Sequence, residues 1–208
     1  MRFSEHNFIS ICDELIQKDA DLKIIIDQYG YPPMWKRVAS FETLIHIILE
    51  QQVSLASALS ALTKLKEKIG EVTPQNLLAL SNEELKYCFF SRQKIVYAQH
   101  LANVLLNDPL YLESLADMEN DKVRTELIKI KGIGNWSADV YLMMVLQRAD
   151  LFPLGDIALI NSIRETKNLS KEISKKSLAE IAAQWKPYQT IAAFILWHGY
   201  LCRRNKKY

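Results

Sequence analysis

The sequence predicts an almost entirely helical protein. Over most of the chain, apolar residues recur every three to four positions, which is the spacing of one face of an α-helix. Serines precede several of these segments, and serine is a favoured N-cap residue. Runs of alternating apolar and polar residues, the pattern of strands, are few and short. We therefore expect an all-α fold.

The amino-terminal part is expected to form helices over residues 4–19 and 22–26. The segment Tyr29–Pro33 ends the second helix, because proline restricts the residue before it and cannot continue a helix. Ser40 is expected to cap one long helix from residue 41 to about residue 65.

Later segments carry their own boundary signals. Thr73–Pro74 is expected to break the chain, and Ser81 with Glu84 has the capping-box spacing. Ser91 is expected to cap a helix whose inward face holds Ile95, Ala98, Leu101, Ala102 and Leu105. The remaining helices are expected over residues 121–130, 157–165, 175–184 and 187–202, the last with Pro187 in its first turn.

Composition limits the class of protein. The 208 residues can form one body or two small lobes, and 49% hydrophobic residues suffice for a core. A net charge of +2 neither demands nor excludes nucleic acid. Cys12, Cys88 and Cys202 are odd in number and widely spaced, which argues against a disulfide framework, a zinc site or a four-cysteine iron–sulfur cluster.

The sequence also indicates where the protein resides. The start, MRFSEHNFIS, lacks the apolar core of a signal peptide, and no stretch approaches the ~20 apolar residues of a membrane helix. We expect a soluble, cytoplasmic protein without membrane contact. The basic segment 203–207 is expected to be a frayed tail, and contact with a nucleic acid is the alternative.

A glycine-containing turn, Lys131-Gly132-Ile133-Gly134, joins two helical patterns. Glycine allows positive φ and a close backbone approach, so that N–H groups can point at an anion near the start of the next helix. Lys129 and Lys131 add positive charge without base specificity. We expect this hairpin to bind a phosphate backbone; the alternative is a helix C-cap followed by an ordinary tight turn.

The pattern from Leu127 to Asp139 resembles the helix-hairpin-helix signature of base-excision DNA glycosylases, and Gly155-Asp156 resembles the glycine-and-aspartate element of that superfamily. The resemblance is strongest to the 3-methyladenine DNA glycosylase II family and covers roughly residues 30–200. It implies a two-lobed helical fold with the active site in the cleft between lobes. Lobe A would span about 35–150 with the hairpin at 127–139, and lobe B 1–34 plus about 151–208.

The resemblance makes Asp156 the catalytic residue. Cleavage of an N-glycosidic bond builds positive charge on the deoxyribose, and a fixed carboxylate stabilises that charge and can orient or deprotonate the attacking water. Asp156 also suits the N-cap of the next helix, and the roles are compatible because N–H donors stabilise a charged carboxylate. Asp139 within the second helix and Asp150 in a loop are the rival carboxylates.

The resemblance further implies the reaction type and a base pocket. Superfamily members that also cut the strand use a lysine two residues after the second hairpin glycine, where this chain has Trp136. This implies a monofunctional enzyme that uses water. Trp136 and Trp197, with Trp35 and Tyr31, would attract a cationic purine; ordinary burial in the core is the alternative. Val140 stands where some relatives have an aromatic residue.

Two further groups of residues are expected to contact DNA. Gln51 and Gln52 should lie where a helix meets a loop facing the DNA, and the resemblance assigns to Gln52 the side chain that fills the vacated base position. An exposed helix end is the alternative for this pair. Ser91, Arg92 and Lys94 would form a second phosphate clamp, although an N-cap followed by a solvated face also explains them.

The favoured hypothesis is a monofunctional DNA glycosylase that acts on alkylated purines of the 3-methyladenine and 7-methylguanine types in double-stranded DNA. We expect a monomer of bacterial type that is associated with the nucleoid through DNA and has no cofactor or iron–sulfur cluster. Whether a monovalent cation binds at the hairpin is left open. The alternatives are a glycosylase of the same fold for deaminated or mismatched bases and a non-catalytic helix-hairpin-helix DNA-binding module. We expect a short version of the family, without the full additional amino-terminal sheet domain of longer relatives.

Overall fold

The computed structural model describes residues 1–206, and it is helical almost throughout, as predicted. Within these residues, strand pairing is limited to an isolated bridge between Arg2 and Arg148. No helix in this range is long and apolar enough to cross a membrane. The helices are α1 (Phe8–Lys18), α2 (Ala20–Tyr29), α3 (Phe41–Glu50), α4 (Leu55–Ile69), α5 (Pro74–Leu78), α6 (Asn82–Tyr87), α7 (Arg92–Asn107), α8 (Tyr111–Ser114), α9 (Asn120–Ile128), α10 (Asn135–Met144), α11 (Ile157–Thr166), α12 (Lys175–Ala183) and α13 (Gln189–Cys202).

The chain divides into two compact units. Unit 1 comprises Met1–Lys36 and Leu142–Tyr208, described as far as residue 206, and unit 2 comprises Arg37–Tyr141. The second boundary thus lies at residue 142 rather than near 150. Residues 142–149 join unit 1 because their backbone bonds to the amino-terminal segment. The Phe3 N–H donates to the Gln147 carbonyl at 2.9 Å, and the Ala149 N–H to the Met1 carbonyl at 3.2 Å.

Unit 1 is built around α13. Nearly every residue of this helix from Thr190 to Leu201 is buried, and the helix packs against α1, α2 and α11. A second anchor is Asp19, which caps α2 and accepts hydrogen bonds from Lys167 Nζ at 2.9 Å and Trp185 Nε1 at 2.8 Å. The buried carboxylate therefore has the partners that its desolvation requires.

Unit 2 is built around α3 and α7. The apolar residues of α3 from Phe41 to Leu49 are buried, and the helix packs against α4 and α7, while α5 packs on α7. The predicted inward face of α7 is confirmed, since Ile95, Ala98, Leu101, Ala102 and Leu105 are all buried. The predicted capping box at Ser81 and Glu84 is also confirmed.

Some predicted boundaries were wrong. The helix expected over residues 41–65 is two helices, because Gln52 adopts a φ of +57° and Ser54 caps a new helix by accepting the Ser57 N–H at 3.2 Å. Thr73–Pro74 starts α5 instead of only breaking the chain, since Thr73 accepts the Asn76 N–H at 3.1 Å. The last helix begins at Gln189, so Pro187 precedes its first turn.

Candidate functional site

The hairpin lies in unit 2, between the end of α9 and the start of α10. Gly132 adopts a φ of +94°, and a Cβ placed there would lie 2.1 Å from the Tyr97 ring. Gly134 has neither a positive φ nor a neighbour within 4 Å of a Cβ. Only Gly132 is therefore required by the fold, and the small size of Gly134 leaves the outer surface of the turn open.

The hairpin presents donors and charge on its exposed side. Within residues 1–206, the N–H groups of Gly132, Gly134 and Asn135 have no acceptor in the protein. Asn135 is the first residue of α10, so the positive end of that helix dipole lies at the same place. Backbone N–H groups without a protein acceptor, at a turn that leads into a helix start, are suited to bind an anion.

The two predicted hairpin lysines differ in their surroundings. Lys129 Nζ is bonded to the Glu126 carboxylate at 2.6 Å, and hydrogen bonds from Lys129 and Lys122 lower the pKa of Glu126. Lys131 is exposed, and the described residues offer its ammonium no carboxylate. Lys131 is therefore the hairpin lysine whose charge is fully available to a ligand, while that of Lys129 is shared.

Gln51 is directed at the hairpin. Its Nε2 donates to the Gly132 carbonyl at 2.8 Å and to Ser137 Oγ at 3.0 Å. The structure thus gives this amide a supporting role inside unit 2, whereas we predicted a DNA contact. Gln52 is exposed and adopts a left-handed backbone conformation on the turn that follows α3. Its role as the wedge stays a prediction.

The three residues predicted as a second phosphate clamp differ in their contacts. Ser91 caps α7 by accepting the Lys94 N–H at 3.2 Å, and Arg92 is exposed. Lys94 Nζ donates to the Leu49 carbonyl at 2.7 Å near the end of α3, and burial lowers the pKa of this ammonium. Arg92 thus lies open to solvent, while Lys94 also supports the fold.

The rival carboxylate Asp139 is structural. Its Oδ1 accepts from Arg124 Nη2 at 2.7 Å and from Arg124 Nε at 3.1 Å. Burial raises the pKa of Asp139 while Arg124 opposes the rise. On the same helix, Ala138 and Val140 are buried and Trp136 is half-buried. The assignment of Trp136 to a base pocket stays a prediction.

Asp156 occupies the predicted N-cap of α11 in unit 1. Its Oδ1 accepts the Leu159 N–H at 2.8 Å and the Trp197 Nε1–H at 3.1 Å. The side chain is half-buried, and the next residue, Ile157, is 75% exposed. Two N–H donors therefore orient this carboxylate at an accessible helix start. The other rival, Asp150, has a buried Oδ1 without a hydrogen-bond partner in the described part of the chain.

An aromatic cluster continues from Asp156. The Trp197 ring stacks on Phe194 with 6.0 Å between the ring centroids, and it contacts Trp35 edge to face with 6.3 Å between the centroids. Trp35 and Trp197 are only 9% and 8% exposed, so most of both rings belongs to the core of unit 1. Tyr31 has another partner, since its hydroxyl donates to Asp13 Oδ1 at 2.6 Å. Of the predicted pocket residues in unit 1, Trp197 bonds directly to Asp156, and Trp35 contacts the Trp197 ring.

Two other expectations concern the end of the chain and metals. Arg203 and Arg204 both bond to Glu165, and Arg204 also stacks on Tyr200 at 3.7 Å. They are held on the fold, which corrects the expectation of a frayed tail; Lys207 lies outside the described residues. Among residues 1–206, no group of three or more histidine, cysteine or acidic side chains has the arrangement of a metal site.

A family comparison identifies the fold on which these sites lie. The model for the HhH-GPD superfamily base excision DNA repair protein matches residues 45–187, which contain both the hairpin and Asp156. The chain belongs to the HhH-GPD superfamily.

Individual relatives agree with this assignment. YfjP of Bacillus subtilis (strain 168) is 27% identical over 186 residues, 86% of this chain and 65% of that protein. The DNA-3-methyladenine glycosylase of the same organism is 31% identical over 169 residues, 76% of this chain and 56% of that protein. The chain thus spans less than two thirds of either relative. The solved structure of Schizosaccharomyces pombe 3-methyladenine DNA glycosylase in complex with abasic DNA is similar with a TM-score of 0.82 and 25% identity, over 90% of this chain and 95% of that one.

Sequence reasoning missed residues that support the HhH-GPD hairpin. His100 Nδ1 accepts the Lys131 N–H at 3.2 Å, Tyr97 packs under Gly132, and Ser137 shares the Gln51 amide. Tyr97 and His100 are three residues apart, so they share one face of α7. That spacing is the only available sequence signal, and it does not identify the hairpin as the partner.

Proposed function

We propose that this chain is a monofunctional DNA glycosylase. It would hydrolyse the N-glycosidic bond of alkylated purines, first of the 3-methyladenine type and second of the 7-methylguanine type, after flipping the base out of double-stranded DNA. The product is an abasic site for base excision repair. Membership of the HhH-GPD superfamily and the names of the two 3-methyladenine glycosylases described above support the substrate class.

The observation that carries this proposal is the pair of N–H bonds that Asp156 Oδ1 accepts from Leu159 and Trp197. A carboxylate in this setting is fixed in orientation and can stabilise the positive charge that develops on the deoxyribose. In the reaction, a water oxygen bonds to C1′ as the C1′–N bond breaks. The electron pair of that bond goes to the cationic base, which leaves neutral, and the water proton passes to Asp156 or solvent.

The residue two positions after Gly134 supports hydrolysis without strand cleavage. Strand cleavage by this superfamily uses a lysine amine as the nucleophile, and Trp136 occupies that position. An indole nitrogen cannot form a Schiff base with the sugar. Water is then the nucleophile, and the sugar–phosphate chain stays intact.

DNA is the expected partner of the hairpin. The N–H groups of Gly132, Gly134 and Asn135, together with the Lys131 ammonium, form a site for one backbone phosphate. Contacts of this kind give affinity that falls steeply as the salt concentration rises, and they carry no sequence information. Selection of the damaged base is then left to the base pocket.

The test incubates duplex oligonucleotides carrying single damaged bases with wild type and with Asp156→Asn. Wild type should release alkylated purines, and the strand should break only after alkali is added. Asp156→Asn should slow release by a factor of roughly 10² or more while still binding DNA with an abasic site. The asparagine oxygen can still accept the Leu159 N–H, so the helix cap survives.

Two further substitutions test whether the effect on base release is specific to Asp156. Asp27→Asn changes an exposed aspartate of unit 1 that pairs with Lys23, and it should leave release unchanged. Asp150→Asn should reduce release less than Asp156→Asn. The proposal fails if Asp156→Asn keeps near-normal release, or if wild type nicks the strand and is trapped on it by borohydride. Preferential release of deaminated or mismatched bases would overturn the substrate class alone.

A further inference from the structure

The hairpin backbone is only partly supported from within. The Ile130 N–H bonds to the Leu127 carbonyl at 3.0 Å, and the Ile133 N–H bonds to the Ile130 carbonyl at 3.0 Å. Between them, the Lys131 N–H has no backbone acceptor in the described residues. A backbone donor at a turn needs a partner to fix its direction, and here a side chain provides it.

That side chain is His100. Its Nδ1 accepts the Lys131 N–H at 3.2 Å, although the two residues are 31 positions apart. The bond requires the neutral imidazole with its proton on Nε2, because Nδ1 accepts only when it carries no hydrogen. His100 lies on α7, where the neighbouring turns place Ala98, Leu101 and Ala102 in the core of unit 2. The acceptor is therefore mounted on a rigid element.

Two other side chains hold the adjoining part of the turn. Tyr97, one helical turn before His100, lies so close to Gly132 that a Cβ would overlap its ring. Gln51 Nε2 donates to the Gly132 carbonyl at 2.8 Å. Two nearby peptide groups of the turn are thus fixed by different helices. The Ile130–Lys131 peptide is held through its N–H from α7, and the Gly132–Ile133 peptide is held through its carbonyl from the end of α3.

We propose that His100 is a positioning residue for DNA binding: its Nδ1 fixes the Lys131 peptide, so that the N–H groups of Gly132, Gly134 and Asn135 converge on one phosphate. His100 itself touches no DNA in this scheme. A hairpin that must be ordered on binding loses affinity, because the cost of ordering is subtracted from the interaction. The inference rests on the proposed function, in that it takes DNA as the hairpin's ligand.

The test compares His100→Leu with His100→Asn. Leucine removes the acceptor, whereas the Oδ1 of asparagine can stand where Nδ1 stands and accept the same N–H. The dissociation constant is measured for a duplex with a stable tetrahydrofuran abasic analogue, and base release is measured in single turnovers at saturating enzyme. His6→Leu, at an exposed histidine of unit 1, is the matched control.

We expect His100→Leu to raise the dissociation constant about five- to tenfold, which is the size of one lost hydrogen bond. The saturating rate of base release should stay within about twofold of wild type, since Asp156 and its partners are unchanged. His100→Asn should bind within about twofold of wild type, and His6→Leu should match wild type in both measurements. Loss of affinity with rescue by asparagine separates positioning from a general loss of structure.

The inference is overturned if His100→Leu binds as tightly as wild type, or if His100→Asn binds as weakly as His100→Leu. If wild type releases no base while the binding pattern holds, the proposed function fails and the role of His100 stands. Should His100→Leu not fold, hydrogen exchange at the Lys131 amide of wild type and His100→Asn decides. Protection in both is expected, and rapid exchange in wild type contradicts the bond.

Discussion

The hairpin of unit 2 and the Asp156 cap of unit 1 are built in opposite ways. The hairpin is a backbone site, and residues distant in sequence hold it, namely Gln51, Tyr97 and His100. Asp156 is a side-chain site, set mainly by its own helix through the Leu159 N–H and by one distant donor, Trp197. The hairpin should therefore be sensitive to substitutions far along the chain, whereas the position of the carboxylate should withstand most of them.

The two hairpin glycines give the strongest test of this difference. Gly132→Ala meets both a positive φ and the Tyr97 ring, so it should lower the free energy of unfolding by about 2–4 kcal/mol. Its affinity for abasic DNA should fall by a factor of roughly 100 or more, because the displaced turn no longer presents its N–H groups together. Urea denaturation and fluorescence anisotropy measure the two effects.

Gly134→Ala is the matched variant, since its new Cβ meets open space and its φ is not in the left-handed region. Its free energy of unfolding should stay within about 1 kcal/mol of wild type. If the neighbouring N–H groups bind a phosphate, the added methyl group should crowd it and weaken DNA binding. Equal destabilisation by the two substitutions would contradict the distinction between a glycine required by the fold and one required by the ligand.

Trp197→Phe tests the carboxylate site at the long-range hydrogen bond from Trp197. The substitution keeps an aromatic ring beside Phe194 and removes the Nε1–H donor to Asp156. A hydrogen bond to a charged group is strong, so base release in single turnovers should slow about tenfold. The dissociation constant for abasic DNA should not change, because the hairpin is intact. A drop in affinity with an unchanged rate would show that Trp197 acts in binding.

Local rules were enough to predict that Asp156 caps a helix, whereas its choice as the catalytic residue came from the family resemblance. Asp156 precedes a helical pattern as an N-cap should, and the same reasoning located the caps at Ser81 and Ser91. The interruption after α3 was missed because residues 41–65 keep a helical pattern of apolar residues across it. The break instead depends on the left-handed conformation of Gln52 and on the cap at Ser54.

Long-range partners could not be predicted from the sequence. Gln51 follows a buried helix and precedes a polar loop, which is also the pattern of a ligand-facing residue, yet its amide bonds to a carbonyl 81 positions away. The same limit applies to His100, whose contact depends on how α7 packs near the turn. Periodicity identifies the buried face of a helix but leaves open the partner of a half-buried polar side chain.

The smallest expected effect concerns Lys94, where folding and binding make opposite demands. Burial holds the pKa of its ammonium below the usual 10.5, so the unfolded chain binds more protons between the two values and stability rises with pH in that window. At pH 7 the penalty is fully present, but the bond to the Leu49 carbonyl offsets it. The free energy of unfolding of Lys94→Met should therefore lie within about 0.5 kcal/mol of the wild-type value at pH 7. The free energy of unfolding of wild type should rise relative to that of the variant as the pH approaches 10.5.

If Lys94 contacts a phosphate, the same variant should bind DNA about three- to fivefold more weakly, and the slope of binding against salt should fall by about one. Lys23→Met, an exposed lysine on α2 that pairs with Asp27, should leave both quantities unchanged. An unchanged salt slope for Lys94→Met would assign this lysine to the end of α3 alone. The hairpin with Lys131 would then be the one remaining phosphate site with a lysine. The difference between the hairpin and the Asp156 site would then rest on the backbone N–H donors of the hairpin.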